Sequence, residues 1–210
     1  MKKKAMALVL ALVLVTVGIV GGTMAWLTAQ ATEVKNVFTD SDINITLTET
    51  ELGQNNEKSF KMIPGHTITK DPKVTLKAGS EACYLFVQVI EDLGDWQTTA
   101  TGDSKAFTDY LEYEVATNWT KGNGTDIPVN VYYIKVDSVT SADTDYPILV
   151  GDKVKVSGDN VTKTMMDAID EEDEAKPTLT FKAAAVQLYK TQNEEFTVSE
   201  AYAKVTWPNP

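Results

Sequence analysis

The sequence predicts an all-β protein, a β-sandwich with one or two short helices, preceded by an N-terminal signal peptide helix. At least seven short segments alternate apolar and polar residues, or run apolar between turn residues, whereas helical periodicity is scarce. The length agrees with this class. Removing residues 1–25 from the 210 leaves 185, which suits one domain with a sizeable core.

The N-terminus has the order of residues typical of a secretory signal peptide. Three lysines at positions 2–4 precede an uninterrupted apolar run over residues 5–20, and a glycine pair then breaks that run. A signal peptidase requires small side chains at −3 and −1, and Thr23 and Ala25 supply them. We therefore predict cleavage between Ala25 and Trp26.

Two alternatives to this cleavage remain open on the sequence. A second pair of small residues at Ala29 and Ala31 would place the cut six residues later. Residues 5–27 also carry no charge, which is long enough for a retained membrane anchor.

The first strands of the predicted sandwich follow residue 41. Ile43, Ile45 and Leu47 alternate with polar residues, as in a half-buried strand. Pro64-Gly65 predicts a type II turn, and Asp71-Pro72 predicts a second extended break before a short strand at residues 74–76.

Two longer segments are apolar on both faces and are therefore predicted as central strands. The first covers residues 82–90. The second covers residues 179–189, in which Leu179, Phe181, Ala183, Ala185 and Gln187 share one face and Ala184, Val186 and Leu188 the other.

The remaining segments are shorter. Residues 104–110 predict a helix capped by Asp103 or Ser104, and residues 162–169 predict another. Strand-like residues 111–119 and 129–137 flank the turn at 121–124 and predict a hairpin, and residues 147–156 predict a pair of short strands around Gly151-Asp152. Residues 198–207 predict a helical turn followed by a closing strand.

Charge and cysteine usage limit the partners and the stabilising bonds. The formal charge of −11 includes the three signal-peptide lysines, so −11 − 3 gives −14 for the mature chain. Such a surface repels nucleic acid and anionic lipid, which leaves the signal segment, if uncleaved, as the means of membrane attachment. The single cysteine, Cys83, cannot form an internal disulfide and is predicted to be a buried small hydrophobe.

The residues that catalysis requires are sparse. The one histidine, His66, lies beside a turn glycine and is predicted to be a surface residue. The sequence has neither a His-Glu-x-x-His pair nor a Gly-x-Ser-x-Gly motif, so we predict no enzyme, no catalytic or metal site and no cofactor. The acidic residues Asp167 and 170–174 allow a calcium site, but they lack its ligand spacing and favour a solvated loop.

Several stretches resemble the TasA/camelysin family of proteins secreted by Gram-positive bacteria. The start of the chain does so through GTMAW at residues 22–26, KNVF at 35–38 and INITLTET at 43–50. MIPGHTITKDPKV at 62–74 is similar to the family's turn-and-strand motif, which contains Pro64, Gly65, Lys70, Asp71 and Pro72. YLFVQV at 84–89, LTFKAAAVQ at 179–187 and EAYA at 200–203 are similar to its later segments.

The resemblance implies a jelly-roll-like fold, a signal peptide cut by a SipW-type peptidase, and a place in the extracellular biofilm matrix or at the cell surface. The best-known members of the family form fibres, which implies self-association here or binding to a paralogous fibre subunit. Camelysin-like members are described as surface metalloproteases, an activity for which this sequence has no zinc motif. A monomeric adhesin or binding module is the other alternative.

The residues after the predicted cleavage site have a composition suited to assembly. Between residues 26 and 41 the apolar points are Trp26, Leu27, Val34, Val37 and Phe38. Open sandwiches expose strand edges that accept a strand from another chain. We therefore expect this segment to be a donor strand that inserts into the next subunit, with the sandwich domain spanning residues 42–210.

Overall fold

The computed structural model describes residues 42–50, 59–94, 105–139, 141–171 and 176–208. This part of the chain is predominantly β-structure with a few short helices, which confirms the all-β class. None of its helices has the length and apolar character needed to cross a membrane. The predicted signal peptide, the donor segment of residues 26–41 and the loop around Trp96 lie outside the described residues.

The strands are numbered in chain order. They are β1 (Ile45–Thr48), β2 (Thr67–Thr69), β3 (Lys73–Leu76), β4 (Cys83–Asp92), β5 (Leu111–Glu112), β6 (Thr120–Lys121), β7 (Val131–Val136), β8 (Thr144–Pro147), β9 (Lys153–Val156), β10 (Thr178–Gln187), β11 (Tyr189–Thr191) and β12 (Glu194–Glu195). The helices are α1 (Phe107–Tyr110), α2 (Lys163–Glu171) and α3 (Val198–Tyr202), and a 3-10 turn covers Val150–Asp152.

The longest sheet has the strand order β10-β4-β7-β6, and its pairings are all antiparallel. The strands β1-β3-β8 form one three-stranded sheet, β2-β9-β5 form another, and β11-β12 form a small hairpin. Strand β4 lies between two neighbours and is buried along most of its length, which confirms its prediction as a central strand.

Two groups of buried side chains lie on opposite faces of β4. The first core cluster consists of Val74, Leu76, Cys83, Leu85, Val87, Val89, Phe107, Tyr110, Leu111, Trp119, Val136, Ile148, Leu149, Val154, Val156, Val161 and Met165. The second core cluster consists of Tyr84, Phe86, Ile127, Val131, Val186, Leu188 and Ala201. Both clusters follow from alternation along β4, because odd-numbered residues face one side and even-numbered residues the other.

The second core cluster is covered by the C-terminal residues. Phe196, Val198, Tyr202, Val205 and Trp207 pack against it, and the rings of Phe86 and Tyr202 lie 5.6 Å apart between centroids. Thr197 and Glu200 form a capping box that starts α3. The closing strand predicted after this helical turn is wrong, since the described residues 203–208 contain no strand.

Strand β10 has the predicted faces but not the predicted position. Leu179, Phe181, Ala183 and Ala185 contact the first core cluster, and Val186 belongs to the second. Among the described strands, however, β10 pairs with β4 alone and lies at the edge of its sheet. Within the described residues β10 is therefore an edge strand rather than the predicted central strand, and the C-terminal residues cover its second apolar face.

The middle of the chain pairs differently from the prediction. Residues 111–119 contribute the two-residue strand β5, which pairs with β9 rather than with β7. The hairpin partner of β7 is the short strand β6. Strands β8 and β9 do flank the predicted turn at Gly151-Asp152, but they belong to different sheets.

Several local predictions are confirmed. The amide of His66 donates to Ile63 O (2.9 Å) and Gly65 has a φ of 78°, as a type II turn requires. Cys83 is fully buried and unpaired. Helix α2 covers the predicted segment, but α1 starts at Phe107 after Ala106, so the predicted caps Asp103 and Ser104 are wrong.

Candidate functional site at the β10 edge

The open edge of β10 presents a row of main-chain hydrogen-bonding groups. The amide of Leu188, one residue beyond the strand, donates to Ala82 O (2.9 Å), which places the main chain of Leu188 on the β4 side. Successive strand residues direct their N–H and C=O groups to alternate sides. Five residues therefore direct these groups away from β4: Leu179, Phe181, Ala183, Ala185 and Gln187.

The side chains along this edge leave the first core cluster incompletely covered. Leu179, Phe181, Ala183 and Ala185 are each half-buried, although they contact the cluster. The neighbouring strand β1 has the same character, with Ile43, Ile45 and Leu47 half-buried against the same cluster. This part of the molecule therefore combines half-buried apolar side chains with main-chain groups that no described strand pairs.

Strand β1 is itself an edge strand that lies beside β10. Lys77 N–H donates to Asn44 O (2.9 Å), so the main chain of Asn44 points toward β3 and those of Ile43, Ile45 and Leu47 point away from it. The Cα atoms of β1 and β10 approach within 8 Å, yet the two strands are not paired. Two open edges thus lie next to each other.

A buried ion pair holds the end of β1 near this edge. The Lys70 ammonium lies 2.9 Å from Glu49 Oε2, and the two side chains are only 14% and 8% exposed. The same ammonium lies 5.5 Å from the Phe181 ring centroid and 5.7 Å from that of Phe60. Lys70 therefore connects the residue after β1 to the apolar face of β10.

The other members of the predicted turn motif also connect neighbouring segments of the chain. Asp71 accepts hydrogen bonds from the amide and the hydroxyl of Thr50. The carbonyl of Pro72 accepts from the amide of Ile148 (3.0 Å), and the amide of Gly65 donates to Val156 O (2.9 Å). Pro64 precedes that glycine in the turn, on the exposed surface.

Surface ion pairs link β3 to β8, on the side of β3 that faces away from β1. Lys73 Nζ lies 2.6 Å from Asp145 Oδ2, and Thr75 donates to the same carboxylate. These hydrogen bonds lower the pKa of Asp145, and the bond from Lys73 raises the pKa of that lysine. The Lys73 and Asp145 side chains are well exposed, so their ion pair contributes little to stability.

The other candidate residues lie apart from this edge. His66 is exposed beside its turn. Cys83 is buried, and burial raises the pKa of its thiol to about 12. Asp167 of the acidic block pairs with Lys163 (2.6 Å) on α2, and residues 172–175 are outside the described part. The predicted cleavage and donor residues Ala25, Trp26, Leu27, Val34, Val37 and Phe38 are also outside it.

Two features of this site were missed from the sequence. Glu49 and Thr50 are the partners of Lys70 and Asp71, and no local pattern in the sequence indicates these pairings. The open edge of β10 was also missed, because its two apolar faces suggested a central position. In the described ranges no three His, Cys, Asp or Glu side chains are grouped as metal ligands would be.

Comparison with family models, with curated proteins and with solved structures found no match for this chain.

Proposed function

We propose that this protein is a secreted structural protein of the extracellular matrix of a Gram-positive bacterium, a subunit of fibres assembled by strand exchange or an accessory to them. The observation that supports this most directly is the ten-residue open edge of β10, with a half-buried apolar face beside it. The proposal includes the jelly-roll-like sandwich, the export signal and cleavage after Ala25.

The donor is the segment from Trp26 to Phe38 of another copy. An extended strand rises about 3.3 Å per residue, so β10 offers an edge of roughly 33 Å and the thirteen-residue donor spans about 43 Å. The donor is therefore long enough to pair along the whole edge. Its apolar residues, Val34 and Phe38 among them, supply side chains for the half-buried face.

The donor pairs with β10 rather than bridging β10 and β1. A strand hydrogen-bonded to both edges requires about 9.6 Å between them, twice the spacing of about 4.8 Å in a sheet. Where the Cα atoms of β1 and β10 come within 8 Å there is no room for a bridging strand, so the donor pairs with the part of β10 that lies away from β1. β10 also offers five outward-facing residues, whereas the β1 side offers three, Ile43, Ile45 and Leu47.

A donor at one end of the chain and an acceptor edge elsewhere give a head-to-tail contact. Such heterologous contacts extend into open filaments unless the rotation between subunits closes a ring. Because each subunit carries both a donor and an acceptor edge, growth needs no other component. A paralogous subunit with the same edge would allow this chain to join a mixed fibre.

Deletion of the donor tests the proposal directly. Mature chain starting at Trp26 is expected to form filaments in negative-stain microscopy as its concentration rises. The same chain lacking residues 26–34 is expected to stay monomeric, with an unchanged circular dichroism spectrum. Filaments formed equally by both chains would refute strand exchange through this segment.

A pair of proline variants tests the acceptor edge. Ala183→Pro removes an amide that faces the open side, and prolines are tolerated at such positions. This variant is expected to fold but not to accept a donor. Ala184→Pro removes an amide that faces β4 and is expected to destabilise the fold, since it breaks the sheet's own ladder. Assembly by folded Ala183→Pro at the wild-type rate would exclude β10 as the acceptor.

The alternative is a monomeric adhesin or binding module at the cell surface. Under that reading the mature chain binds a defined partner and shows no filaments at any concentration. The same microscopy distinguishes the two functions.

A further inference from the structure

A polar cleft lies on the same face of the four-stranded sheet as the first core cluster, toward β6 and β7. It has a volume of about 430 Å³ and lies between that sheet and the segment that follows β5. Glu91 at the end of β4, Lys121 on β6 and Tyr132 on β7 line it from the sheet. Thr108 of α1 lines it as well, together with Tyr113, Glu114 and Val115 from the segment. We call these seven residues the tyrosine cleft.

One wall of the tyrosine cleft is held in a defined orientation. The Tyr113 hydroxyl donates to Glu91 Oε1 (2.5 Å), and its ring packs edge-on against Phe107 with centroids 6.3 Å apart. The Tyr113 and Tyr132 side chains are both half-buried against the first core cluster. Burial raises the pKa of Tyr113, so the hydroxyl keeps its proton at physiological pH. The Tyr113 and Glu91 wall of the cleft is therefore preorganised.

The other polar groups of the cleft have unused hydrogen-bonding capacity. Within the described part of the chain, the side chains of Glu114, Lys121 and Tyr132 make no hydrogen bond or ion pair. Lys121 can only donate, Glu114 can only accept, and the Tyr132 hydroxyl can do both. Donors and acceptors thus face one cleft beside the apolar surfaces of Val115 and two tyrosine rings.

We propose that the tyrosine cleft binds a neutral saccharide. Sugar hydroxyls both donate and accept hydrogen bonds, so they match a lining that mixes carboxylates, an ammonium and hydroxyls. The apolar C–H face of a sugar ring packs against aromatic side chains, which the two tyrosines supply. The volume lies within the range of about 300–1,000 Å³ that is typical of small-ligand sites.

The charges of the lining decide between saccharides and charged ligands. Two carboxylates and one ammonium leave a net charge of −1, which disfavours acidic sugars, phosphates and carboxylates. A cationic amine would be attracted by the tyrosines and carboxylates but could not hydrogen-bond to the Lys121 ammonium, since both groups only donate. Neutral hydroxyls can hydrogen-bond to the carboxylates and to the ammonium alike. The proposal rests on the lining of the cleft and not on fibre assembly, although Glu91 is the cross-strand neighbour of Leu179 on β10.

The test uses the mature chain and NMR titration of its tyrosine ring resonances. Neutral oligomers of glucose, of galactose and of N-acetylglucosamine are the probes, with chitosan oligomers as the cationic and oligogalacturonate as the anionic comparison. We expect saturable shifts of the Tyr113 and Tyr132 resonances with at least one neutral series. No saturable shift with any neutral series up to tens of millimolar, or tighter binding of a charged series, would overturn the proposal.

Variants then locate the binding site. Glu114→Gln and Lys121→Met change exposed side chains and should leave the fold intact. Each is expected to weaken binding about tenfold, as loss of a hydrogen bond to a charged group does. Lys153→Met, an exposed lysine outside the cleft, is the matched control and should bind as the wild type does. Unchanged binding by both cleft variants would overturn the assignment of the site.

Discussion

Replacing Lys70 by methionine should cost an unusual amount of stability for a lysine substitution. The Glu49 side chain is only 8% exposed, and among the described residues its Oε1 atom has no hydrogen-bond partner, so the Lys70 ammonium at 2.9 Å from Oε2 is its main compensation. Removing one partner of a buried pair costs about 3–5 kcal/mol, because it leaves an uncompensated charge, whereas a surface pair contributes about 0.2–1 kcal/mol. We expect a loss of about 3–5 kcal/mol from Lys70→Met.

Guanidinium chloride unfolding of the mature chain, followed by tryptophan fluorescence, measures this loss. With a slope of about 4 kcal/mol/M, the midpoint should fall by roughly 1 M. The double variant Glu49→Gln/Lys70→Met should recover at least about 2 kcal/mol of the loss, since no buried charge is then left unpaired. A loss below about 1 kcal/mol in Lys70→Met would show that the pair is solvated and would refute the reasoning from burial.

Three further predictions concern single groups elsewhere in the fold. The Cys83 thiol, whose pKa burial raises to about 12, should resist a thiol-specific disulfide reagent at pH 8 in the native chain and react fully in denaturant. Hydrogen bonds from Lys190 and then from Thr197 lower the pKa of Glu200 to about 2 from 4.5, so their stabilising effect is complete above pH 4.5 and is lost as the pH falls toward 2. Carboxyl NMR should follow that titration, and Lys190→Ala should move it back toward 4.5. Gly122→Ala should destabilise the chain by about 1–3 kcal/mol or more in chemical unfolding, because an added Cβ would lie 2.2 Å from Pro128 O.

The strands that were predicted well are those whose pattern is local and whose burial is strong. Strand β4 carries apolar residues on both faces and is central, and β3 has Val74 and Leu76 fully buried. The Pro64-Gly65 turn was also predictable, since the geometry of a type II turn requires a residue with positive φ. Each of these depends on residues that are adjacent in sequence.

The wrong predictions concern which strands pair with one another rather than where the strands occur in the sequence. Apolar residues on both faces of β10 show that layers cover the strand on both sides, but they say nothing about its edges. The C-terminal residues around Tyr202 provide the second layer, and that arrangement depends on contacts between segments distant in sequence. The pairing of β5 with β9 was missed for the same reason.

Some residues of the candidate assembly site could likewise be predicted from the sequence, and others could not. The apolar residues of the donor segment and the Lys70-Asp71-Pro72 motif could be identified from the sequence. The partners Glu49 and Thr50 could not, because hydrogen bonds between residues about twenty positions apart leave no periodic signal. The tyrosine cleft was also missed, since its seven residues come from separate segments of the chain.

The sequence by itself determined the all-β class, the faces of the longer strands and the burial of Cys83. Side-chain direction alternates with period two along a strand, so these properties are set by the nearest residues. Only the tertiary structure decided which strands are neighbours, that no described strand pairs with the outer edge of β10 and that Lys70 reaches Glu49. Strand pairing and register arise from contacts between distant segments, and many pairings are compatible with one local pattern.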